Sequence, residues 1–350
     1  MRILGIETSC DETSVAIVEN GRTVLSCAIA SSLADFQKTG GVVPEYAARR
    51  QVECMTACLQ KALTDAKTES SAIDAIVVTR GPGLLGSLLV GTTTARALAA
   101  VWQKPLIGVH HTLGHLSSTW LTQSTELESE PQFPILTLSV SGGHTDLWYR
   151  TSHTNGQRVG TTRDDAAGEA FDKGATLLGL PYPGGPALAK LAESGAEDAY
   201  DFPSPLSKED TADFSFSGLK TSLKYLLRDL QKEGIDINQL GIKASIAASY
   251  QSAICRHLLA KIAVVLERYS DIRELHVVGG VSANTKLRTE VSRLASQESL
   301  VVRFPTLGMY STDNAAMIAA AGYFLLQEKP ELADHPFTTK ATENVEQVLS

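Results

Sequence analysis

Short apolar runs separated by polar turns open the chain. Residues 2–7 are apolar and β-branched, residues 8–12 form a polar stretch, and residues 13–19 resume alternation. Gly21 leads into a third run over residues 23–30. Period-two alternation between turn residues predicts three strands, and their close spacing predicts an antiparallel meander. After Gly40 and Gly41, a helical pattern begins at Pro44, with Ala48, Val52, Met55, Leu59 and Leu63 at steps of three and four. That spacing predicts one apolar stripe on an amphipathic helix. Residues 73–79 read as a strand. A turn containing Gly81, Pro82, Gly83 and Gly86 follows, then a small-residue helix over 87–102 and a strand ending at Val109.

Residues 117–134 are polar, carry Glu126, Glu128 and Glu130, and include two prolines. They mark the expected domain boundary. The opening pattern then partly repeats: an apolar run over 134–140, a turn of Ser141, Gly142, Gly143 and His144, and a resumed run over 145–151. A long amphipathic helix is predicted over 243–269, with Ile246, Tyr250, Ile254, Leu258, Ile262, Val265 and Tyr269 on one face. Residues 275–278 read as a strand, 279–284 as a turn, 285–294 as a helix and 317–326 as a last apolar helix. The tail after about residue 329 reads as irregular. The expected domains are a first lobe over 1–118, a second over 119–306, and a closing segment over 307–350. Two halves that each open strand, turn, strand predict an α/β class. The predicted architecture is a two-lobed actin-like fold (sugar kinase/Hsp70/actin) with duplicated lobes and a ligand cleft between them.

Composition narrows the function classes. A 350-residue chain with 43% hydrophobic residues suits two globular domains rather than disorder. The net charge of −8 argues against a strongly basic nucleic-acid surface, so any nucleic acid would need a local patch or a partner protein. The five cysteines are odd in number and scattered; Cys54 and Cys58 form one close pair with no second pair to complete a zinc ribbon. Free thiols in a reducing compartment are expected. No charged-then-apolar leader opens the chain, and no uninterrupted apolar stretch approaches 18 residues. A cytosolic protein with no membrane span is expected.

Several segments offer chemistry. His111 and His115 lie four apart just after a strand, which places both imidazoles on one helix face. The zinc-protease pattern puts a Glu general base after the first His, and here Thr112 stands there. The pair predicts a metal that polarises or positions, although two histidines lining a helix start would look the same. Asp313 either caps the last apolar helix or completes the pair; two His and one carboxylate with open positions suit Fe2+ and catalytic Zn2+. Ser141, Gly142 and Gly143 after a strand let backbone N–H groups approach an anion, or make an ordinary hairpin turn. Gly279, Gly280, Val281, Ser282, Ala283 and Asn284 lie between a strand and a helix, which favours a nucleotide site; otherwise Ser282 is an N-cap after a tight turn. Asp164, Asp165, Glu169 and Asp172 form an acidic run that is either solvated or lines a ligand. Gly185, in a rigid turn, has room for a ribose. Phe214 and Phe216 are core or a stacking platform. Lys220, Lys224 and Arg228, and Lys286 with Arg288, are candidate phosphate contacts or plain surface.

Together and in this order, the segments at 6–13, 111–115, 140–144, 164–173, 182–185, 214–220, 279–284 and 312–314 are specific. The chain resembles the tRNA N6-adenosine threonylcarbamoyltransferase family, bacterial TsaD and its Kae relatives, over nearly its whole length. The resemblance implies transfer of the threonylcarbamoyl group from threonylcarbamoyl-AMP to N6 of adenosine 37 in tRNAs reading codons that begin with A, with release of AMP. It implies metal ligands at His111, His115 and Asp313, for one divalent metal per subunit, Fe2+ first and Zn2+ as the alternative. It implies nucleotide and substrate contacts at Ser139, Val140, Ser141, Gly142, Gly143, Asp172, Gly185 and Asn284. Some relatives carry an acidic residue where this chain has Ala189, which bears on one ribose contact. The implied partners are a TsaB-like paralogue, a TsaE-like ATPase and a TsaC-like enzyme that supplies the adenylate. Asp11 and Glu12 on the first turn face the cleft in such a fold, so one of them is expected to orient or deprotonate the adenine amine; the alternative is a solvated turn. Two other functions fit the same chain less well. One is a metal-dependent glycoprotein endopeptidase, an old label for the family, which the absent Glu opposes. The other is an actin-like nucleotide switch.

Overall fold

A computed structural model describes residues 1–32, 42–123 and 129–343. Gly40, Gly41, Glu126 and Glu128, named above, lie outside the described residues, as does the end of the tail. The described chain divides into two compact units, one built from Met1–Gln132, Arg150–Gln157 and Pro305–Ser350, the other from Phe133–Tyr149 and Arg158–Phe304.

The first unit is built on a five-stranded sheet. β1 (Arg2–Glu7), β2 (Glu12–Glu19) and β3 (Thr23–Ser31) form the expected antiparallel meander. β4 (Ala75–Gly81) and β5 (Leu106–His110) add in parallel on the other side of β1, giving the order β3-β2-β1-β4-β5. α1 (Pro44–Asp65) and α2 (Leu85–Trp102) cover the sheet. α3 (His111–Ser117) follows β5 directly. The buried face of α1 is Ala47, Gln51, Met55, Cys58 and Ala62; it shares Met55 with the expected stripe and is otherwise one position earlier, and Val52 is 64% exposed. The register shifts because Gln51 turns inward to hydrogen-bond the turn after β1, and an inward Gln51 rotates Val52 to solvent. Among the described residues, α2 is the one helix long and apolar enough to cross a membrane; here its inner face of Ser87, Leu88, Gly91, Thr92 and Ala95 is buried in the fold.

The second unit repeats the plan. β6 (Ile135–Val140), β7 (Thr145–Arg150), β8 (Gly156–Thr161), β9 (Glu274–Val278) and β10 (Val301–Arg303) take the order β10-β9-β6-β7-β8. Counted from each unit's first strand, the two orders are the same, which is the duplication that the repeated strand-turn-strand pattern implied. β6 pairs with β9, and β9 with β10, in parallel. α4 (Ala167–Leu177), α5 (Gly184–Ala192), α6 (Ser217–Lys232), α7 (Leu240–Arg268) and α8 (Thr285–Gln297) surround the core. Ile246, Tyr250, Ile254, Leu258, Ile262 and Val265 of α7 are buried as its periodicity predicts. Phe214 and Phe216 are fully buried, which resolves them as core.

α9 (Ala315–Glu328) closes the first unit. All five cysteines are free thiols.

Gly279 ends β9 with φ +88°, and a Cβ there would fall 2.4 Å from the Val140 carbonyl oxygen. Gly279→Ala is expected to cost about 1–3 kcal/mol through strain and collision. Gly280→Ala, with open space around it, is expected to change little. Urea unfolding monitored by circular dichroism measures both.

Candidate functional site

In each unit the candidate residues gather where parallel strands end. Ligands of open α/β sheets bind outside the carboxyl ends of strands. In the first unit these ends are Glu7 of β1, Gly81 of β4 and His110 of β5.

α3 starts at the end of β5. The His110 imidazole caps it by accepting a hydrogen bond from the Thr112 N–H at 3.2 Å. His111 and His115 then fall on one face, rings 4.7 Å apart and nearly perpendicular. Asp313 arrives from the residue before the cap of α9. Asn314 rather than Asp313 is the N-cap, accepting from Met317 N–H at 3.0 Å, and Asp313 lies beside the two imidazoles. Asp313 Oδ1 lies 3.2 Å from His115 Nε2 and 3.5 Å from His111 Nε2. Two ligand atoms each about 2.1 Å from one ion, at tetrahedral or octahedral angles, sit about 3.0–3.4 Å apart. The two Asp313–imidazole distances lie close to that spacing, and the three donor atoms, all within 4.8 Å of one another, form a group that could hold a divalent ion.

A second layer orients the first. Glu7, 1% exposed, places Oε2 3.1 Å from His111 Nδ1. A carboxylate only accepts, so the proton sits on Nδ1 and Nε2 is left for metal. Glu7 is itself fixed by the Ser9 N–H and the Thr79 hydroxyl, and Ser9 Oγ is 3.2 Å from the same His111 nitrogen. Burial alone would lower the His111 pKa, but the Asp313 and Glu7 carboxylates outweigh it and raise it to about 9.

Asp11 and Glu12 end the same turn; Asp11 is buried and Glu12 half-buried. Burial, then the nearby Asp11 and Asp313 charges, push the Glu12 carboxyl up to about 9. Gln51 holds this turn from below. Its amide nitrogen is 3.0 Å from the Cys10 and Glu12 carbonyl oxygens and 3.5 Å from that of Thr8. Glu7, Ser9, Thr79 and Gln51 were not singled out in the sequence. A polar residue closing an apolar strand marks Glu7, and a polar residue on the inner face of a helix marks Gln51.

In the second unit, β6 and β9 end side by side, with Ser139 in register with Val278. Ser139 and Val140 are buried, whereas Gly142 and Gly143 are exposed with open space where a side chain would be. α4 starts against this turn: the Gly168 N–H donates to the Ser141 carbonyl at 3.1 Å. One turn further along α4, Asp172 accepts from the Gly185 N–H at 3.0 Å. The structure thus links Ser141, Gly142, Asp172 and Gly185 in one set. Asn284, not Ser282, is the N-cap of α8. Its Oδ1 accepts from Leu287 N–H at 3.0 Å, and its Nδ2 donates to Gln251 Oε1 at 2.7 Å. Both polar atoms of Asn284 already serve the fold.

Of the basic residues considered for phosphate, Lys220 pairs with Asp165, Arg228 with Asp229, and Lys286 with Glu197.

The family model for tRNA N6-adenosine threonylcarbamoyltransferase, TsaD, matches residues 23–320. The chain belongs to this family. A tRNA N6-adenosine threonylcarbamoyltransferase from Staphylococcus saprophyticus is 45% identical over 93% of this chain and 91% of its own length. One from Bacillus cereus is 45% identical over 91% of this chain and 90% of its own. Among solved structures, the (R)-2-hydroxyglutaryl-CoA dehydratase component A of Acidaminococcus fermentans superposes with a TM-score of 0.51 at 14% identity, covering 92% of this chain and 98% of its own. HypF of T. kodakarensis gives 0.60 at 15%, covering 93% of this chain and 48% of its own. At such identities these two show the fold alone, which is the two-lobed actin-like class expected from the sequence. For a threonylcarbamoyltransferase of this family, the His111, His115 and Asp313 group is the feature most open to direct test.

Glu7→Gln keeps the shape of the side chain but weakens its hold on His111 Nδ1–H. It is expected to lower divalent-metal affinity by about 10–100-fold with an unchanged circular-dichroism spectrum. Titration of the apo protein with Zn2+ against a competing chelator measures this.

Proposed function

We infer that this chain transfers a threonylcarbamoyl group from threonylcarbamoyl-AMP to N6 of adenosine 37 in tRNAs reading codons that begin with A, releasing AMP. Family membership supports the reaction, and the observation that carries the site assignment is the convergence of His111, His115 and Asp313. The chemistry explains the donor set. The exocyclic amine of adenine is a weak nucleophile because its lone pair is delocalised into the ring, so the acyl carbon must be made more electrophilic. His111, His115 and Asp313 would hold a divalent ion, Fe2+ or Zn2+, which would supply Lewis-acid polarisation of an acyl or phosphoryl oxygen.

The chain's own residues do the rest. Glu7 and Ser9 fix the His111 ring so that Nε2 keeps its direction. Ser139 and Val140 end β6 and lead into the turn of Ser141, Gly142 and Gly143, which takes the nucleotide's anionic part because exposed glycines let backbone N–H groups come close. Asp172 and Gly185 belong to the ribose side, where Ala189 offers no acid. Asn284 acts by holding the start of α8 rather than by a free amide. One of Asp11 and Glu12 orients the amine or takes its proton. The mixed anhydride carries a good leaving group, so no covalent enzyme intermediate is required.

Because Lys220, Arg228 and Lys286 are paired and the net charge is −8, tRNA binding is assigned to a complex. It contains a TsaB-like paralogue and a TsaE-like ATPase, with a TsaC-like enzyme supplying the adenylate, in the cytoplasm where tRNA is.

The test is reconstitution with threonylcarbamoyl-AMP, the partner proteins and a tRNA bearing A37, followed by nucleoside mass spectrometry. The modified nucleoside is expected with the native chain. His111→Ala and Asp313→Ala are expected to reduce it by at least about a hundredfold, the several kcal/mol that a Lewis acid contributes. Full activity of both variants would remove the metal from the reaction. Full activity of both Asp11→Ala and Glu12→Ala would remove the acid turn.

A further inference from the structure

We propose that residues 336–343 are a strap that positions the second layer of the metal centre, acting through the Gly81-Pro82-Gly83 turn. This rests on the metal reading of His111, His115 and Asp313. The strap lies beyond residue 320, where the match to the family model ends.

The strap is anchored first by an aromatic ring. Phe337 packs into the core of the first unit, and a Cβ at Gly108 would fall 2.5 Å from its ring. Arg96 lies 5.1 Å over that ring and donates to the Phe337 carbonyl at 3.2 Å. Beyond the anchor, the contacts turn polar and converge on the end of β4. The Lys340 N–H donates to the Arg80 carbonyl at 2.9 Å, and the Gly83 N–H donates to the Ala341 carbonyl at 3.0 Å. Glu343, its side chain 2% exposed, pairs with Arg80 at 2.8 Å.

The other side of the same turn faces the metal layer. A Cβ at Gly81, φ +155°, would fall 2.2 Å from the Lys340 carbonyl oxygen; one at Gly83, φ +156°, would fall 2.4 Å from the Ser9 carbonyl oxygen. Leu84 N–H donates to that Ser9 carbonyl at 2.8 Å. The turn is thus sandwiched with no spare room, strap on one side and Ser9 on the other. Ser9 gives its N–H to Glu7 and places its Oγ 3.2 Å from His111 Nδ1, and Thr79, two residues before Gly81, gives its hydroxyl to Glu7. From Glu343 to the His111 ring the links are an ion pair and hydrogen bonds, joined by the backbone of residues 80–84. Release of the strap loosens Glu7 and Ser9, and with them the direction of His111 Nε2.

Co2+ is the probe, because its visible absorption reports ligand geometry and needs no substrate. The native chain is compared with a chain ending at Thr338 and with full-length Glu343→Gln, both freed of metal. The shortened chain is expected to bind Co2+ about tenfold more weakly with a changed visible spectrum, while its thermal midpoint without metal stays close to native. Glu343→Gln is expected to move affinity and spectrum in the same direction by less. Native affinity and spectrum in a folded shortened chain overturn the proposal, whatever its thermal midpoint. If the shortened chain does not fold, Glu343→Gln decides on the same two readouts, native values overturning the proposal. Should the native chain itself fail to bind Co2+, the metal reading falls and the strap's role falls with it. Equal binding by native and variant chains removes the strap's role alone.

Discussion

The candidate centre depends on one close contact between two helices. A Cβ at Gly114 would lie 2.5 Å from Ile318 Cδ1 and 3.2 Å from Met317 Cγ. Without a side chain there, α3 seats directly on the first turns of α9, and Asp313 is carried to His111 and His115. α3 has seven residues, too few to be stable alone. It is helical because it is buried on all sides and capped by His110. α9 in turn reaches the sheet through small residues: a Cβ at Gly5 would fall 2.3 Å from the Ala315 carbonyl oxygen. A larger residue at Gly5 or Gly114 would push the aspartate and the imidazoles apart without touching any of them.

The charge pattern around this contact is lopsided. Glu7, Asp11, Glu12 and Asp313 lie together around His111, whose charged form the Asp313 and Glu7 carboxylates favour against burial. Buried like charges are costly unless a partner balances them, and here Glu12 responds by holding its proton toward pH 9. Structural ion pairs are built the other way, with a fixed cation such as Arg80 against Glu343. A cluster that gathers carboxylates and imidazoles, with each outer group engaged by the fold and the inner atoms converging, has the charge and the donors that a divalent cation complements.

Much of this was legible in the chain, for local reasons. The β1 to β3 meander, the α7 face and the His111 and His115 pair are period-two, period-3.6 and i,i+4 patterns, and periodicity survives without knowledge of the fold. What was not legible depended on distant neighbours. Asp313 and Asn314 are both good N-caps, and only the packing of α9 decides which one caps. Val52 looked buried because an apolar stripe was drawn through it; the carbonyls of the turn at 8–12 turn Gln51 inward instead. Glu7, Ser9 and Thr79 come from β1, the turn after it and β4, so their shared role appears only when the parallel pairing brings those strand ends together. The tail reads as irregular, and its backbone is largely so, yet Phe337 packs against the core of the first unit and the Glu343 side chain is 2% exposed.

The two units share one sheet order but differ in what stands at the carboxyl ends of the strands. After β1 and β5 the first unit places carboxylates and imidazoles, with glycines only after β4; after β6 and β9, the counterparts of β1 and β4, the second places glycines in both. A duplicated frame of this kind fixes where loops emerge and leaves their chemistry free. Side chains that bring their own donors need strands to end in polar residues, as β1 does at Glu7 and β5 at His110. A turn that offers backbone N–H groups needs the opposite, which explains why a Cβ at Gly279 would strike Val140 whereas Gly142 and Gly143 open to solvent. The same topology therefore carries a His-His-Asp group past the strand ends of one copy and exposed glycines past those of the other.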